Sequence, residues 1–183
     1  MLENKEEETK KETKFEGDLV TSDASFEERV LKIRRVSAKR SGGSSVHFSA
    51  LSAAGDHSGK IGVAVAKSKE NINAIKKSKE KAKRSMFEVC ITEEGSIPHE
   101  VKAKKGAAIL YMRPAPLGSG IIAGGCVRQI LELAGYKNVS AKVIGSSNQI
   151  NNAYVTVVAL KKIKHISEKL ANLKSDDIGG SNH

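Results

Sequence analysis

The feature that most constrains this chain is a glycine-rich loop, residues 118–125, followed directly by a helical pattern of apolar residues. The loop reads Gly-Ser-Gly-Ile-Ile-Ala-Gly-Gly, so another backbone, of protein or nucleic acid, can approach it closely. Apolar residues then recur at i, i+3, i+4 and i+7, and Gly135 is placed to cap the C-terminus. The pattern predicts a contact loop that leads into a helix over 125–134.

Charge is distributed unevenly along the chain. The 183 residues include 31 Lys or Arg and 21 Asp or Glu, for a net charge of +10. Residues 29–84 hold fifteen basic and three acidic residues, whereas residues 1–28 hold four and ten. Positive charge concentrated in this way is typical of a protein that binds a polyanion. Charge alone leaves RNA, DNA and an anionic membrane as alternatives.

The sequence predicts two compact modules between polar tails. Residues 1–25 are rich in Glu, Lys and Thr and have too little apolar surface to offset ordering entropy, which predicts a disordered acidic tail. Residues 165–183 are similar and are predicted to form a flexible tail. A polar turn at 93–96 divides the remainder into predicted domains 26–93 and 96–164.

Several classes of protein are disfavoured by the sequence. Cys90 and Cys126 form no CxxC pair, and the five histidines share no metal-ligand spacing, so neither a disulfide framework nor a metal site is expected. The acidic N-terminus does not resemble a signal peptide, and no apolar run is long enough to span a membrane. We therefore expect a cytosolic protein. Cys126 begins the predicted helix, where a thiol pKa can be lowered, but an inert small residue is the favoured interpretation.

The first module is predicted to be a small antiparallel sheet covered by a helix. Apolar and polar residues mix over 30–36 and alternate over 46–51 and 61–66, as expected of three strands. Gly42 and Gly43 permit a positive-φ turn between the first two. A helix over 70–89 places apolar residues on one face and lysines on the other.

The basic face of this predicted helix favours a polyanion ligand. Only Glu80 lies in its middle, so the like charges repel one another unless a polyanion neutralises them. Small three-stranded sheets with a basic helix end are how double-stranded-RNA-binding domains contact A-form RNA. A solvated helix face is the alternative interpretation.

The second module is predicted to contain a hairpin, the loop and helix, and a third strand. Strands are indicated over 100–104 and 107–112, joined across 105–106, and the prolines at 114 and 116 stop the second strand. Alternation over 139–143 predicts the third strand. Over 148–163, β-branched residues favour a strand whereas Asn148 as N-cap and helical spacing favour a helix, so the residues leave this segment undecided.

Together these segments carry a family resemblance. The order VLKIRRVSAKRSGGSSVHFSALSAAGDHSGKIGVAVAKSKE, KAKRSM, PAPLGSGIIAGG, RQILELAGYKNV and GSSNQINN closely resembles the bacterial small-subunit ribosomal protein five family. The resemblance covers about residues 26–164. It implies an α+β protein with an N-terminal double-stranded-RNA-binding-like domain, a C-terminal α/β domain with a left-handed βαβ crossover, and a helix over 148–163.

The resemblance implies a structural, non-enzymatic constituent of the small ribosomal subunit, cytoplasmic and without a cofactor. Its RNA-contacting loop, which in the family reaches toward the spectinomycin site, corresponds to residues 36–45, and basic residues nearby are expected to contact phosphate. The expected RNA-binding residues are Arg34, Arg35, Ser37, Lys39, Arg40, Gly42, Gly43, Lys60, Lys67, Lys69, Lys76 and Lys77.

The resemblance also implies protein partners. Contact with small-subunit protein four, which influences decoding accuracy, corresponds to Gly118, Ser119, Gly120 and Arg128. Contact with protein eight is expected from the C-terminal domain without assigned residues, and the region where mRNA enters the ribosome is expected nearby. Membrane partners are not expected.

Two other functions are compatible with parts of the chain. One is a free RNA-binding or RNA-unwinding accessory protein. The other is a small-molecule kinase that shares the C-terminal fold, because a glycine-rich loop before a helix can hold phosphate. The kinase is disfavoured because the chain lacks an obvious catalytic carboxylate and lysine pair and a Walker-type Gly-Lys-Ser/Thr motif.

Overall fold

The computed structural model describes residues 26–178, which form two four-stranded sheets and three helices. The predicted acidic tail, residues 1–25, lies outside the described residues, as do residues 179–183. The elements are β1 (Glu27–Arg40), β2 (Gly43–Gly55), β3 (Lys60–Ser68), α1 (Asn71–Arg84), β4 (Phe87–Glu88), β5 (Val101–Lys105), β6 (Ala108–Pro114), β7 (Ile121–Ile122), α2 (Gly125–Ala134), β8 (Val139–Ile144) and α3 (Gln149–Ile178).

The first sheet is antiparallel in the order β1-β2-β3-β4. It differs from the predicted three strands because the helix predicted over 70–89 ends at Arg84, and Phe87 and Glu88 pair with Ile61 and Lys60. Sheet pairing thus prevails over the helical spacing of these last residues. The loop predicted over 36–45 is also mostly strand, since β1 and β2 remain paired as far as Arg40 and Gly43.

Helix α1 covers one face of the first sheet through small residues. Ser52 and Ser78 form a buried hydrogen bond, with their Oγ atoms 2.6 Å apart. A Cβ on Gly62 would lie 2.1 Å from the carbonyl oxygen of Ala82, so the helix approaches the strand at a distance that only glycine allows. The lysines of the helix remain on the outer side.

The second sheet is mixed, in the order β5-β6-β8-β7. The parallel pair β7 and β8 is connected through α2, which is the βαβ unit that was expected. Gly135 caps α2 in the left-handed region, with φ of 96°, as the sequence predicts. The two-residue strand β7 was not predicted.

Helix α3 resolves the undecided segment in favour of the helix. It begins at Gln149 and continues to Ile178, beyond the boundary that the sequence suggested at Lys164. The predicted flexible tail therefore begins inside a helix. The physical reason is that no glycine or proline interrupts residues 149–178, and polar composition alone does not end a helix.

The two domains share one hydrophobic core. Leu51 and Ile61, on the face of the first sheet opposite α1, belong to the same buried cluster as Leu131 and Leu133 of α2 and Leu160 of α3. Helix α2 contacts β1, β2 and β3, while α3 covers β5 and β6. The helices α2 and α3 thus lie between the two sheets.

Backbone hydrogen bonds reinforce the domain interface. The N–H groups of His57 and Gly59 donate to the carbonyls of Leu133 and Ala134, at 3.0 and 3.1 Å. The Tyr136 hydroxyl donates to the carbonyl of Cys90 at 2.7 Å. Two sequence modules are therefore fixed to one another by backbone as well as by side chains.

Candidate nucleic-acid interface

The first candidate surface is a two-stranded ribbon, residues 36–47, which we call the hairpin arm. Pairing of β2 with β3 begins only at Phe48, whereas β1 and β2 stay paired to Arg40 and Gly43. The arm thus extends beyond the three-stranded part of the sheet. A two-stranded ribbon has little stability of its own in water, so a partner that orders this arm is physically reasonable.

The tip of the arm carries several predicted RNA-binding residues. Ser37 and Lys39 are exposed on β1, and the side chain of Arg40 lies outside those described. The positive φ expected of the glycine pair occurs at Gly43, with φ of 136°, and not at Gly42. A Cβ at either glycine would meet no atom within 4 Å, so the tip is open to an approaching partner.

The second candidate surface is a basic cleft of about 510 Å³ where β3 ends and α1 begins. The structure brings together Lys67, Lys69 and Lys77 there, all of them predicted from the sequence. Glu70 also lines the cleft and accepts a hydrogen bond from Asn73. Three ammonium groups against one carboxylate leave the cleft suited to phosphate.

His47 also lines the basic cleft, and sequence analysis did not single it out. Its Nε2 atom lies 3.1 Å from the Ser45 hydroxyl. The alternating pattern over 46–51 predicts a strand but does not show that His47 lies near the end of β3. That proximity depends on the register of the strands. His47 is therefore a candidate contact that only the fold identifies.

Other predicted RNA-binding residues do not join the basic cleft. Lys60 is exposed at the opposite end of β3, where the strand pairs with β4. Lys76 is exposed on α1 but does not line the cleft. These two residues present charge to solvent at separate places.

Neighbouring Arg34 and Arg35 point to opposite faces of the first sheet. Arg34 is paired with Ser49, which is paired with Lys67, and Ser49 shares its face with the core residue Leu51. Arg34 therefore lies on the face turned toward the second domain, in one row with Lys67. Arg35 is paired with Phe48 and lies on the α1 side.

The basic face of α1 has an acidic partner that the helix sequence did not show. Glu28 of β1 accepts from Lys79 at 2.9 Å and from Lys83 at 3.0 Å. Burial favours a higher pKa for Glu28, but the hydrogen bonds from the two lysines outweigh it and lower the pKa. Glu80 is still the only acidic residue within the helix, but Lys79 and Lys83 have a partner on β1. The repulsion along this face is therefore smaller than the helix sequence alone suggests.

The glycine-rich loop is held by one buried side chain. The amide oxygen of Asn138 accepts from the N–H groups of Gly118 and Gly120, at 3.1 and 3.3 Å. Its Nδ2 atom donates to the carbonyl of Glu94 at 2.9 Å. Both glycines have positive φ, and a Cβ on either would meet nothing within 4 Å, so the outer side of the loop is accessible.

Apolar side chains flank this loop. Leu117 is 68% exposed and Ile122 is 58% exposed. Such exposed apolar groups beside accessible backbone fit a protein partner better than phosphate. Asn138 and these two residues were not predicted, because no local pattern distinguishes them.

Arg128 takes part in an ion-pair network at the domain interface. Its guanidinium donates to Glu132 at 2.8 Å, and Glu132 also accepts from Arg29 at 2.8 Å. The hydrogen bond from Arg128, and then that from Arg29, lower the pKa of Glu132 despite partial burial. Arg128 thus pairs within α2, and Glu132 connects the two domains through Arg29.

Catalytic and metal chemistry find little support among residues 26–178. Burial raises the pKa of the Cys126 thiol, although N–H groups at the start of α2 act in the opposite direction, so the lowered pKa that a helix start can give is not found here. No group of three or more metal-binding side chains occurs in this range. Nor does any described helix combine the length and apolar character needed to cross a membrane.

Comparison with known families agrees with the geometry. The family described as Ribosomal protein S5, N-terminal domain matches residues 26–90, and Ribosomal protein S5, C-terminal domain matches residues 103–174. The small ribosomal subunit protein uS5c of Thalassiosira pseudonana is 45% identical over 147 residues, which cover 80% of this chain and 82% of that protein.

The chain belongs to the ribosomal protein S5 family.

Further S5 relatives agree. The uS5c protein of Rhodomonas salina is 45% identical over 150 residues, covering 82% of this chain and 89% of that protein. The uS5 protein of Acaryochloris marina is 44% identical over 146 residues, covering 80% and 82%. Membership of the S5 family confirms the predicted fold class and the prediction of a structural, non-enzymatic constituent of the small ribosomal subunit, located in the ribosome. It also removes the small-molecule kinase from consideration.

Proposed function

We propose that this S5-family chain binds small-subunit ribosomal RNA through the hairpin arm and the basic cleft. The observation that carries the proposal is the meeting of Lys67, Lys69 and Lys77 with His47 in one open cleft. Ammonium groups there replace the counterions of the phosphate backbone. Contacts to the backbone position a protein on its RNA without reading sequence.

The hairpin arm is the second part of this RNA-binding surface. Its exposed Ser37 and Lys39, with the backbone of Gly42 and Gly43, present donors and one positive charge at the end of a projecting ribbon. Contact with RNA would order a ribbon that is otherwise only marginally stable. The tip of the arm and the cleft, which includes His47 at the base of the arm, would then hold RNA at two points.

The glycine-rich loop is proposed to contact small-subunit protein four. The support is the accessible backbone of Gly118 and Gly120 between exposed Leu117 and Ile122. Asn138 restrains the loop from behind, and a restrained loop loses less entropy on association. Contact with protein eight through the second domain, and proximity to the region where mRNA enters, follow from the family resemblance alone.

The RNA-binding proposal can be tested with the full-length chain and purified small-subunit ribosomal RNA. The double variant Lys67→Ala/Lys77→Ala removes two ammonium groups from the basic cleft. Lys102→Ala/Lys104→Ala is the matched control, because both lysines are exposed on the second sheet and the net charge changes equally. Affinity is measured as a function of salt concentration.

We expect the cleft variant to flatten the slope of log K against log salt by about 0.7 to 0.9 for each lost contact. The control should change the slope by less than half as much. Equal flattening by both variants would show that binding reflects net charge, and the proposed cleft would be wrong.

A further inference from the structure

We propose that a groove between the two domains binds a sugar–phosphate strand of the same ribosomal RNA. The groove lies at β1, the edge strand of the first sheet, whereas the basic cleft lies at the end of β3. This inference rests on the proposed function. The Gly/Ser/Asn segment 145–152 belongs to neither the hairpin arm nor the basic cleft, and the proposal gives this segment a role.

The groove has one wall from each domain. Lys32 and Arg34 of β1 form one wall, and residues 146–150 at the start of α3 form the other, enclosing about 360 Å³. A second cleft of about 270 Å³ shares Ser147 and Gln149 with the first and continues past Gly124, Gly125 and Lys142. We call the two clefts together the interdomain groove.

The charge of the interdomain groove is of one sign. Lys32, Arg34 and Lys142 contribute three positive charges, and none of the described residues that line it is Asp or Glu. The rest of the first cleft is lined by the neutral polar residues Ser146, Ser147, Asn148 and Gln149 and by Ile150. A groove that carries positive charges and no carboxylate favours phosphate as its ligand. A protein surface, which usually carries charges of both signs, is less well matched.

The interdomain groove is connected to the basic cleft by one row of the sheet. Arg34, Ser49 and Lys67 are successive cross-strand partners on the face turned toward the second domain. Adjacent strands are about 4.8 Å apart, so the backbones of Arg34 and Lys67 are separated by about 10 Å. Lys67 lines the basic cleft and Arg34 lines the groove, so the two clefts each receive one positive charge from this row.

The second cleft also offers unpaired polar groups. The side-chain oxygens of Gln149 and Asn152 are buried without a hydrogen-bond partner among residues 26–178. Gly124 precedes α2 without a side-chain cap, and a Cβ at Gly124 or Gly125 would meet no atom within 4 Å. An RNA strand supplies both kinds of complement, hydroxyl donors for amide oxygens and phosphate for backbone N–H groups.

The interdomain groove can be tested by introducing a negative charge at Ser147, which is exposed and lines both clefts. Ser147→Glu adds a negative charge, and Ser147→Gln is the matched neutral control of similar size. Lys142→Ala removes one groove charge, and Lys67→Ala reports on the basic cleft. Each full-length variant is titrated with purified small-subunit ribosomal RNA over a range of salt concentrations, and its circular dichroism and incorporation into subunits are compared with the wild type.

We expect Ser147→Glu to bind about fivefold more weakly than Ser147→Gln, since one unit charge at contact distance from a phosphate in water acts at about this level. Lys142→Ala should flatten the salt slope by about 0.7 to 0.9. If the two Ser147 variants bind alike and Lys142→Ala keeps the slope while Lys67→Ala flattens it, the interdomain groove is not an RNA site although the proposed function stands.

Two further outcomes would also overturn the inference. Unchanged slopes for all variants, Lys67→Ala included, would remove the RNA-binding proposal itself. Normal RNA affinity of Ser147→Glu combined with poor incorporation into subunits would show that the interdomain groove receives a protein.

Discussion

Gly135 and His57 are in backbone contact across the domain interface: a Cβ on Gly135 would lie 2.2 Å from the carbonyl oxygen of His57. Gly55 of the first domain likewise lies against the backbone of α2, since a Cβ on Gly55 would lie 2.2 Å from the carbonyl oxygen of Leu133. Gly135 also needs its positive φ of 96° to end α2, whereas Gly55 has no positive φ. Gly55 therefore isolates the effect of the close approach.

Gly55→Ala should lower the free energy of unfolding by about 3 kcal/mol, because a methyl group would force the first sheet away from α2 in a closely packed interface. Gly42→Ala is the control, since its φ is not positive and its Cβ would meet nothing within 4 Å. Urea unfolding should show one transition shifted for Gly55→Ala alone. A loss below about 0.5 kcal/mol would mean that the interface accommodates the methyl group.

Glu132→Gln should destabilise the chain in a pH-dependent manner. Hydrogen bonds from Arg128 and Arg29 lower the folded-state pKa of Glu132 below its ordinary value of 4.5. The stabilisation is therefore complete above the unfolded-state value and is lost as pH falls through the folded-state pKa. We expect a deficit of about 1 kcal/mol at pH 7 that disappears in strong acid, because both pairs are partly exposed and screened.

Urea unfolding at pH 7 and at about pH 2.5, below the ordinary carboxyl range, measures this difference. Glu100→Gln is the control, because that carboxylate is 75% exposed and its ion pair with Arg113 is long, at 3.5 Å. An equal deficit for Glu132→Gln at both pH values would attribute the effect to packing and not to charge.

Gly43→Val should change the response of cells to spectinomycin more than Gly42→Val does. The positive φ at the arm tip belongs to Gly43, and a β-branched residue there costs about 1 to 3 kcal/mol of strain. Relief of that strain would move the tip, which the family resemblance places near the drug site. Growth at graded drug concentrations, with incorporation of each protein verified, tests this. Identical sensitivity of both variants and the wild type would contradict the placement.

Ser119→Arg should raise the frequency of codon misreading. Ser119 lies between two glycines of positive φ but has no positive φ of its own, so arginine there adds bulk and charge to the proposed contact with protein four without straining the backbone. The family resemblance ties separation of these two proteins to the closed, tRNA-accepting state of the subunit, so a weaker contact should favour that state. A dual-reporter assay measures misreading, and Gly120→Ala controls for strain. Normal fidelity of fully incorporated Ser119→Arg would refute the contact.

The sequence predicted those parts of the fold that depend on contacts between residues close in the chain. Gly135 ends α2 as predicted, and alternation located β2, β3 and β8. The two-residue strands β4 and β7 were missed because their pairing partners are distant in sequence, as Phe87 with Ile61 shows. The β-branched run at 155–158 left α3 undecided, and packing of that helix on β5 and β6 decides it.

The sequence predicted which basic residues are candidates for RNA binding, but not which of them lie together in the fold. Lys67, Lys69 and Lys77 meet in one cleft, whereas Arg34 and Arg35 diverge, because pleating sends neighbours to opposite faces. A register shift between Val30 and Lys32 also changes which face each later residue of β1 occupies. The divergence of Arg34 and Arg35 follows from any strand assignment, whereas the grouping of the lysines depends on the pairing of the strands, which the sequence alone does not specify.

The shared core has a consequence for how this chain is made. Leu51, Ala53, Ile61 and Val63 of the first domain are buried with α2 residues that follow them by more than sixty positions in the sequence. While the ribosome synthesises the chain, the first sheet emerges with this apolar face uncovered and must wait for residues 125–134 to leave the exit tunnel. Because chains are synthesised at about 5 to 20 residues per second, the nascent first domain exposes this apolar face for several seconds. A chaperone that binds apolar strands could bind the nascent chain at this face.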